Sequence, residues 1–218
     1  MGSQISKRET ILNKIKQALV NPVPLPFTAA NNKADALVKP LQQEVAIEFA
    51  ENFTELQGKF VYCSTINEAI HHLQQLVVVR KWQSVFCAEE NMITLLQNQL
   101  ASLNVLNLAQ SEAAITTCDA LVARTGSFLL SSATSSGRTT SVYTPVHICI
   151  AYTSQLAYDI KEALQMLQQQ YGHADQMPSF FTLSSGPSRT ADIEKTLVVG
   201  VHGPKEVFCF LVDDSSVH

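Results

Sequence analysis

Charged residues are scarce in this sequence, and they form no basic cluster. Of its 218 residues, 16% are Asp, Glu, Lys or Arg, and the formal net charge is −4. A nucleic-acid-binding surface needs a basic stripe or patch, often with aromatic side chains in between, and no such run is present. Nucleic acid is therefore not an expected partner. The hydrophobic content of 46% is typical of a globular domain.

Long hydrophobic runs are also missing. No apolar stretch reaches the ~20 residues that a membrane-spanning helix needs. The opening residues, MGSQISKRET, contain no apolar core of a signal peptide. We therefore expect no membrane span and a cytoplasmic location.

Paired cysteines are absent as well. The chain has five cysteines, none close to another in sequence, and each lies in or beside an apolar run. This pattern predicts buried, reduced thiols. Iron–sulfur clusters and structural zinc sites normally use closely spaced thiolates, so we expect neither on this chain, and no bound cofactor or metal. The cysteines are Cys63, Cys87, Cys118, Cys149 and Cys209.

Several common enzyme motifs do not occur. There is no GxGxxG after a strand and no GxxxxGK[ST], which removes the usual signals for dinucleotide and nucleoside triphosphate binding. The GxSxG nucleophile turn and HExxH are missing too. Functional chemistry must therefore be sought in the turns.

Residues 1–32 are predicted to form a helical arm and a stiff connector. Ser6 and Glu9 have the spacing of a capping box, and apolar residues from Ile11 to Leu19 recur on one helical face. Three prolines between positions 22 and 26 then favour an extended connector. The arm could pack on its own domain, on a second copy or on a partner protein, so a homo-oligomer is one open arrangement.

Residues 33–218 are predicted to form one α/β domain. Short apolar runs alternate with helical patterns, which is typical of a parallel sheet covered by helices. We therefore expect a mainly parallel sheet with helices on both faces. Strands are predicted at 60–63, 84–88, 105–108, 128–131, 148–151 and 206–213, and helices from about 40, at 65–79, at 91–101 and at 156–171.

Five polar or glycine-containing turn motifs are the candidate functional elements. Because loops at the carboxyl ends of parallel strands meet in one crevice, we expect these motifs to converge there. The segment 133–141 is rich in Gly, Ser and Thr around a single Arg, and it is either a flexible loop or an anion cradle. The motifs are Thr125-Gly126, Gly137-Arg138, Pro145-Val146-His147, Gly186 to Glu194, and His202-Gly203-Pro204.

Arg189 is the strongest single candidate. Its guanidinium suits a carboxylate or phosphate, although a salt bridge with Asp192 or Glu194 is the structural alternative. Those two carboxylates could act as acid–base groups, or Asp192 could cap a turn.

Other side chains in these turns offer hydroxyls or a titratable ring. Ser188 and Thr190 flank Arg189 after the tight Gly186-Pro187 step. His202 is either a proton shuttle or a hydrogen-bonded structural residue. His147 leads into a strand, and the structural interpretation is favoured for it.

These motifs resemble the LUD family, the lactate utilization proteins of the C type. The most specific part of the resemblance is GPSRTADIE followed by GVHGP, and the arm and central motifs match in order and spacing. The matching segments are Arg8 to Leu19, Thr125 to Ser127, Gly137-Arg138, Pro145 to His147, Gly186 to Glu194, and Gly200 to Pro204.

The resemblance implies a Rossmann-like α/β fold related to the sugar-phosphate isomerases (NagB/RpiA) and CoA transferases. It also implies a role with two companion proteins, one of them iron–sulfur, in oxidising L-lactate to pyruvate. The clusters would lie in the partner proteins. A small anionic ligand would bind in a crevice between Arg138 and Arg189.

The resemblance has one departure, at Arg124. Members of the family commonly carry Glu before the central Thr-Gly, so a catalytic carboxylate at that position would be lacking here. Whether the chain is catalytic is therefore open. The alternative hypothesis is a free-standing enzyme for a phosphorylated or CoA-linked carboxylic acid, using Asp192, Glu194 or His202 as acid–base groups.

Overall fold

A computed structural model describes residues 7–20, 40–41, 43–99, 107–172, 176–193 and 196–215. Contacts divide the chain into two units, residues 1–40 and residues 41–218. The predicted boundary after residue 32, the Ser6 cap and the proline connector lie outside the described residues. In the first unit, helix α1 (Lys7–Leu19) buries none of its residues.

The second unit contains the predicted alternation of helices and strands. Its elements in chain order are α2 (Val45–Glu55), β1 (Lys59–Cys63), α3 (Ile66–Arg80), β2 (Val85–Cys87), α4 (Glu90–Gln99), β3 (Ala113–Thr116), β4 (Ala120–Val122), β5 (Ser127–Ser131), α5 (Thr140–Tyr143), β6 (Val146–Tyr152), β7 (Leu156–Ala157), α6 (Ile160–Tyr171), β8 (Phe181–Ser184), β9 (Arg189–Ile193), β10 (Thr196–Val199) and β11 (Glu206–Val212).

The central sheet has five strands in the order β1-β11-β6-β3-β2, and every pairing is parallel. Strands β6 and β11 are buried on both faces, which explains their nearly continuous apolar sequences. The predicted α/β class with a mainly parallel sheet is confirmed. Helices α3 and α4 pack on one face through residues such as Ile70, Leu73 and Leu96.

The other face carries both a helix and a second sheet. Phe49 and Phe53 of α2 pack with Cys149, Cys209 and Leu211 of the central strands. Beside them lies a four-stranded mixed sheet, β7-β4-β5-β8, whose far side is covered by α6. This second sheet was not among the elements predicted from the sequence.

A local sequence signal sets the start of helix α3. The side chain of Thr65 accepts a hydrogen bond from the backbone N–H of Glu68, and the carboxylate of Glu68 accepts one from the N–H of Ser64. The first bond satisfies an N–H that the first turn of α3 leaves without an intrahelical partner, and the second holds the N–H of Ser64, just before the N-cap. The capping box that the sequence predicts at 65–68 therefore starts α3.

Three local predictions differ from the structure. Residues 156–157 form strand β7, so the following helix begins only at Ile160, after Asp159 at its N-cap. The strand predicted at 105–108 lies mostly outside the described residues, and Leu108–Gln110 is a turn of 3₁₀ helix. Residues Arg189–Ile193, expected within the turn motif from Gly186 to Glu194, form strand β9, which pairs antiparallel with β10.

All five cysteines are buried and free, as the sequence predicts. Burial raises the pKa of the Cys63 thiol to about 11. Across the described helices, none combines the length and the hydropathy needed to cross a membrane.

Candidate functional site

The C-terminal turn motifs meet where the central strands begin. The N–H of Lys205 donates to the carbonyl of Pro145 (2.8 Å), and the N–H of Ser188 donates to the carbonyl of Pro204 (2.9 Å). These turns precede β6 and β11, so they lie at the amino edge of the parallel sheet. The prediction that they converge at the carboxyl ends is wrong, because a turn that precedes a parallel strand lies at its amino end.

The central Thr-Gly motif joins the same cluster. The hydroxyls of Ser127 and Ser185 are 2.6 Å apart and hydrogen-bonded, and Ser127 also donates to Thr125. Gly126 has φ +55°, and a Cβ atom there would lie 2.5 Å from the backbone nitrogen of Phe53. The motif is therefore packed directly against α2.

Arg189 contacts this cluster through its guanidinium. It is exposed on the first residue of β9, and its Nη2 donates to the carbonyl of Leu56. Thr190 pairs with Val198 across the hairpin. Asp192 lies in β9 rather than in a turn, and Glu194 lies outside the described residues. The described contact ties Arg189 to the end of α2.

His202 lines a pocket at the amino edge of about 270 Å³. Gly203 lies beside Ser188, since a Cβ at Gly203 would come within 2.8 Å of the Ser188 Cβ. The motifs 186–190 and 202–204 are thus in contact, as expected. The pocket is lined by Val142, Tyr143, Thr144, Pro145, Gly200, Val201, His202, Gly203 and Lys205.

Among the described residues, Arg138 does not contact the cluster of turns that contains Ser188 and Pro204. Its Nη2 donates to Ser179 Oγ (2.8 Å), and its guanidinium carbon is 5.2 Å from the centre of the Phe180 ring. Ser179 and Phe180 precede β8, whereas the turn carrying Arg189 follows β8. A four-residue strand spans about 13 Å. The expected crevice shared by both arginines is therefore not formed by the described contacts, and Arg138 lies towards the carboxyl edge.

A carboxylate that the sequence analysis missed lies at this carboxyl edge. Glu89 follows β2, accepts a hydrogen bond from the Ser136 hydroxyl, and lies 3.4 Å from Cys87 Sγ. Burial, together with this carboxylate, raises the pKa of Cys87 to about 12. Ser136 belongs to the Gly/Ser/Thr-rich segment, so Glu89 anchors the loop that carries Arg138. The sequence did contain a signal for this residue, because Glu89 directly follows the apolar run predicted as a strand at 84–88.

Asp119 is a second missed carboxylate. It is 7% exposed, and its Oδ1 accepts from Tyr171 (2.8 Å) and Ser131 (3.2 Å). Its Oδ2 is buried without a hydrogen-bond partner among the described atoms. Asp119 holds the end of α6 against the second sheet.

His147 is a core residue. It is fully buried, its Nε2 is 2.9 Å from Thr116 Oγ1, and its ring meets Phe128 edge-on at 6.0 Å. Desolvation lowers its pKa to about 4, so the ring is neutral at pH 7. The structural interpretation fits this environment.

Arg124, the departure from the family pattern, is held in an ion pair. Its guanidinium donates to both carboxylate oxygens of Asp159, at 3.1 and 3.2 Å. This hydrogen bonding lowers the pKa of Asp159. In the described part of the chain, no group of three or more His, Cys, Asp or Glu side chains is arranged to hold a metal ion.

The fold and its motifs define an α/β protein with a parallel central sheet and a smaller mixed sheet packed on one face. The LUD domain model matches residues 90–212, which is more than half of the chain. The chain therefore belongs to the LUD domain family.

Curated relatives include proteins named lactate utilization protein C. The one from Bacillus licheniformis is 32% identical over 51% of this chain and 46% of its own length. The chain thus matches about half the length of several such relatives. The one from Halalkalibacterium halodurans aligns over 96% of this chain and 99% of its own length, at 27% identity.

One solved structure resembles the fold. It is the crystal structure of a DUF162 family protein from Deinococcus radiodurans, with a TM-score of 0.57 and 17% sequence identity. The match covers 79% of this chain and 99% of that one. At this identity the likeness supports the fold alone.

Proposed function

We propose that this chain is a subunit of a cytoplasmic lactate-oxidising system and acts with iron–sulfur partner proteins. The observation that carries the proposal is the near full-length match to a lactate utilization protein C, together with the LUD domain match. Oxidation of L-lactate to pyruvate releases two electrons and two protons. In the proposal the electrons pass to clusters in the partner proteins, because the five cysteines of this chain are buried and dispersed.

The loop around Arg138 is the proposed position for a small anionic ligand. Ligands of open parallel sheets bind outside the carboxyl ends of the strands, and Arg138 lies towards that edge. Its guanidinium is oriented by Ser179 and by the face of Phe180. An added Cβ at Gly137 would meet no heavy atom within 4 Å, so open space adjoins the arginine.

The ion pair of Arg124 favours a binding subunit over an independent acyl-transfer enzyme. A covalent carboxylate mechanism needs a free, exposed nucleophile. At position 124 this chain instead has a cation bound to Asp159. The proposed role therefore assigns ligand binding, rather than covalent catalysis, to this chain.

Reconstitution tests the proposal. The chain is co-expressed with the iron–sulfur and companion lactate utilization proteins of the same organism, and L-lactate-dependent reduction of a dye is measured. We expect co-purification, loss of dye reduction when the chain is omitted, and at least a tenfold lower rate with Arg138→Met. Lys161→Met, an exposed charge change on α6, is the control.

Two results would contradict the proposal. One is a chain that stays alone when the partners are present, and the other is full dye reduction without the chain. Full activity of Arg138→Met with retained complex formation would remove the proposed ligand position but leave the subunit role intact.

A further inference from the structure

We propose that the amino-edge pocket lined by Tyr143, His202 and Lys205 binds a small aliphatic carboxylate. The residues that line this pocket precede β6 and β11, and Arg138 is not among them. The inference does not need the proposed lactate-oxidising role, although L-lactate and pyruvate belong to the ligand class that it names.

Apart from Thr144, whose hydroxyl donates to the carbonyl of Val146, the polar side chains of the pocket lack a partner among the described residues. Within the described residues, no polar contact is found for the Lys205 ammonium, the His202 ring or the Tyr143 hydroxyl, and all three side chains are exposed. The neighbouring carboxylate, Glu206, is engaged by Lys59 and by both terminal nitrogens of Arg80. Lys205 is therefore not neutralised by the adjacent acid, and a concave positive site remains on a chain of net charge −4.

Backbone hydrogen bonds hold in place the turns that carry the lining residues of the pocket. The N–H groups of Lys205 and Glu206 both donate to the carbonyl of Pro145, at 2.8 and 3.2 Å, and the N–H of Gly200 donates to the carbonyl of Ser188 at 2.9 Å. Gly200 packs so closely on the Lys205 stem that an added Cβ would overlap its Cγ. The turn thus holds the base of the lysine side chain in place.

The size and lining of the pocket select the class of ligand. Its volume of about 270 Å³ is at the small end of the range for ligand pockets, which favours a small molecule. Lys205, His202 and Tyr143 each bring a hydrogen-bond donor to the pocket wall, while Val142, Val201 and Pro145 supply apolar surface. A short carboxylate matches both parts, and inorganic phosphate matches only the charged part.

Amide NMR on the ¹⁵N-labelled full chain tests the inference. Propionate, L-lactate, pyruvate and inorganic phosphate are titrated separately at constant ionic strength. We expect saturable shifts of the Gly200 and Gly203 amides with at least one carboxylate, and phosphate at least tenfold weaker. Lys205→Met, which keeps the stem that contacts Gly200, should weaken carboxylate binding at least tenfold, and Lys14→Met should not.

The same spectra separate this inference from the Arg138 proposal. Carboxylate shifts confined to Gly137 and its neighbours, and abolished by Arg138→Met, would support the Arg138 site and overturn the pocket. Equal binding of phosphate, or unchanged binding by a folded Lys205→Met variant, would also overturn it. Retained amide dispersion in each variant shows that the fold is intact.

Discussion

Arg124 and Asp159 form a two-point ion pair that joins the end of β4 to the start of α6. Both side chains are partly buried, with 34% and 18% of their surfaces exposed. Position 124 precedes the central Thr-Gly motif, where the family resemblance leads us to expect Glu. In this chain the position therefore contributes a structural cation.

Arg124→Met should lower the free energy of unfolding by about 1 kcal/mol, a value discounted for solvent screening. Because hydrogen bonding to Arg124 lowers the pKa of Asp159 in the fold, this stabilisation is complete above the ordinary aspartate pKa of ~3.9. It is lost as the pH falls further through the folded pKa. Urea unfolding at pH 7 and pH 3 measures the effect. An equal loss at both pH values would contradict it.

His147 should make the fold less stable in mild acid. Its pKa is lowered to about 4 by burial, against ~6.5 in an unfolded chain. The unfolded state therefore binds more protons between these values, so stability falls as the pH drops through that window. Between pH 7.5 and pH 5 we expect a loss of about 2 kcal/mol from this residue.

His147→Gln tests this expectation by urea unfolding at the same two pH values. Other titrating groups are shared by both proteins, so the comparison isolates the histidine. The variant is expected to be less stable at pH 7.5 but to lose about 2 kcal/mol less on acidification. A pH dependence identical to that of the wild-type chain would show that the ring does not stay neutral in the fold.

Gly126 and Gly137 form a matched pair for backbone substitution. Both have positive φ, +55° and +61°, but a Cβ at Gly126 would meet the backbone of α2 whereas one at Gly137 meets open space. Gly137→Ala should cost about 1 kcal/mol from conformational strain alone. Gly126→Ala should cost at least about 3 kcal/mol, because overpacking is added to that strain. Equal melting temperatures for the two variants would contradict this packing.

The five thiols should be unreactive in the native state. All are buried, and the pKa of Cys63 is raised to about 11 and that of Cys87 to about 12. At pH 8 the thiolate fractions of these two are therefore on the order of 10⁻³ and 10⁻⁴. Mass spectrometry after brief iodoacetamide treatment should show no alkylation, followed by five modifications in denaturant. Rapid native labelling of any one cysteine would place it at the surface.

Local sequence patterns predicted many of the helices and strands. The Thr65–Glu68 box predicted the start of α3, and the apolar runs at 60–63, 148–151 and 206–213 predicted β1, β6 and β11. The second sheet was not predicted, because its strands β4 and β7 contain only three and two residues. Strands that short are defined by distant partners rather than by their own periodicity.

The candidate site was harder to place. The contact between the motifs at 186–190 and 202–204 was expected, but the edge of the sheet was assigned wrongly. Pro145 and Pro204 precede strands, so the sequence already contained the signal for the amino edge. The separation of Arg138 from Arg189 depends on the direction of β8, and that direction is set by its antiparallel pairing with β5. No local pattern reveals such a pairing.

Strand β11 lies between β1 and β6 in the central sheet, although nearly 150 residues separate it from β1 in sequence. Pairing across such a separation carries a large loop-closure entropy and slows folding. During synthesis β1 has no neighbour in this sheet until residues 206–212 emerge from the ribosome. A nascent chain that stalls earlier would expose two strand edges, which are templates for aggregation.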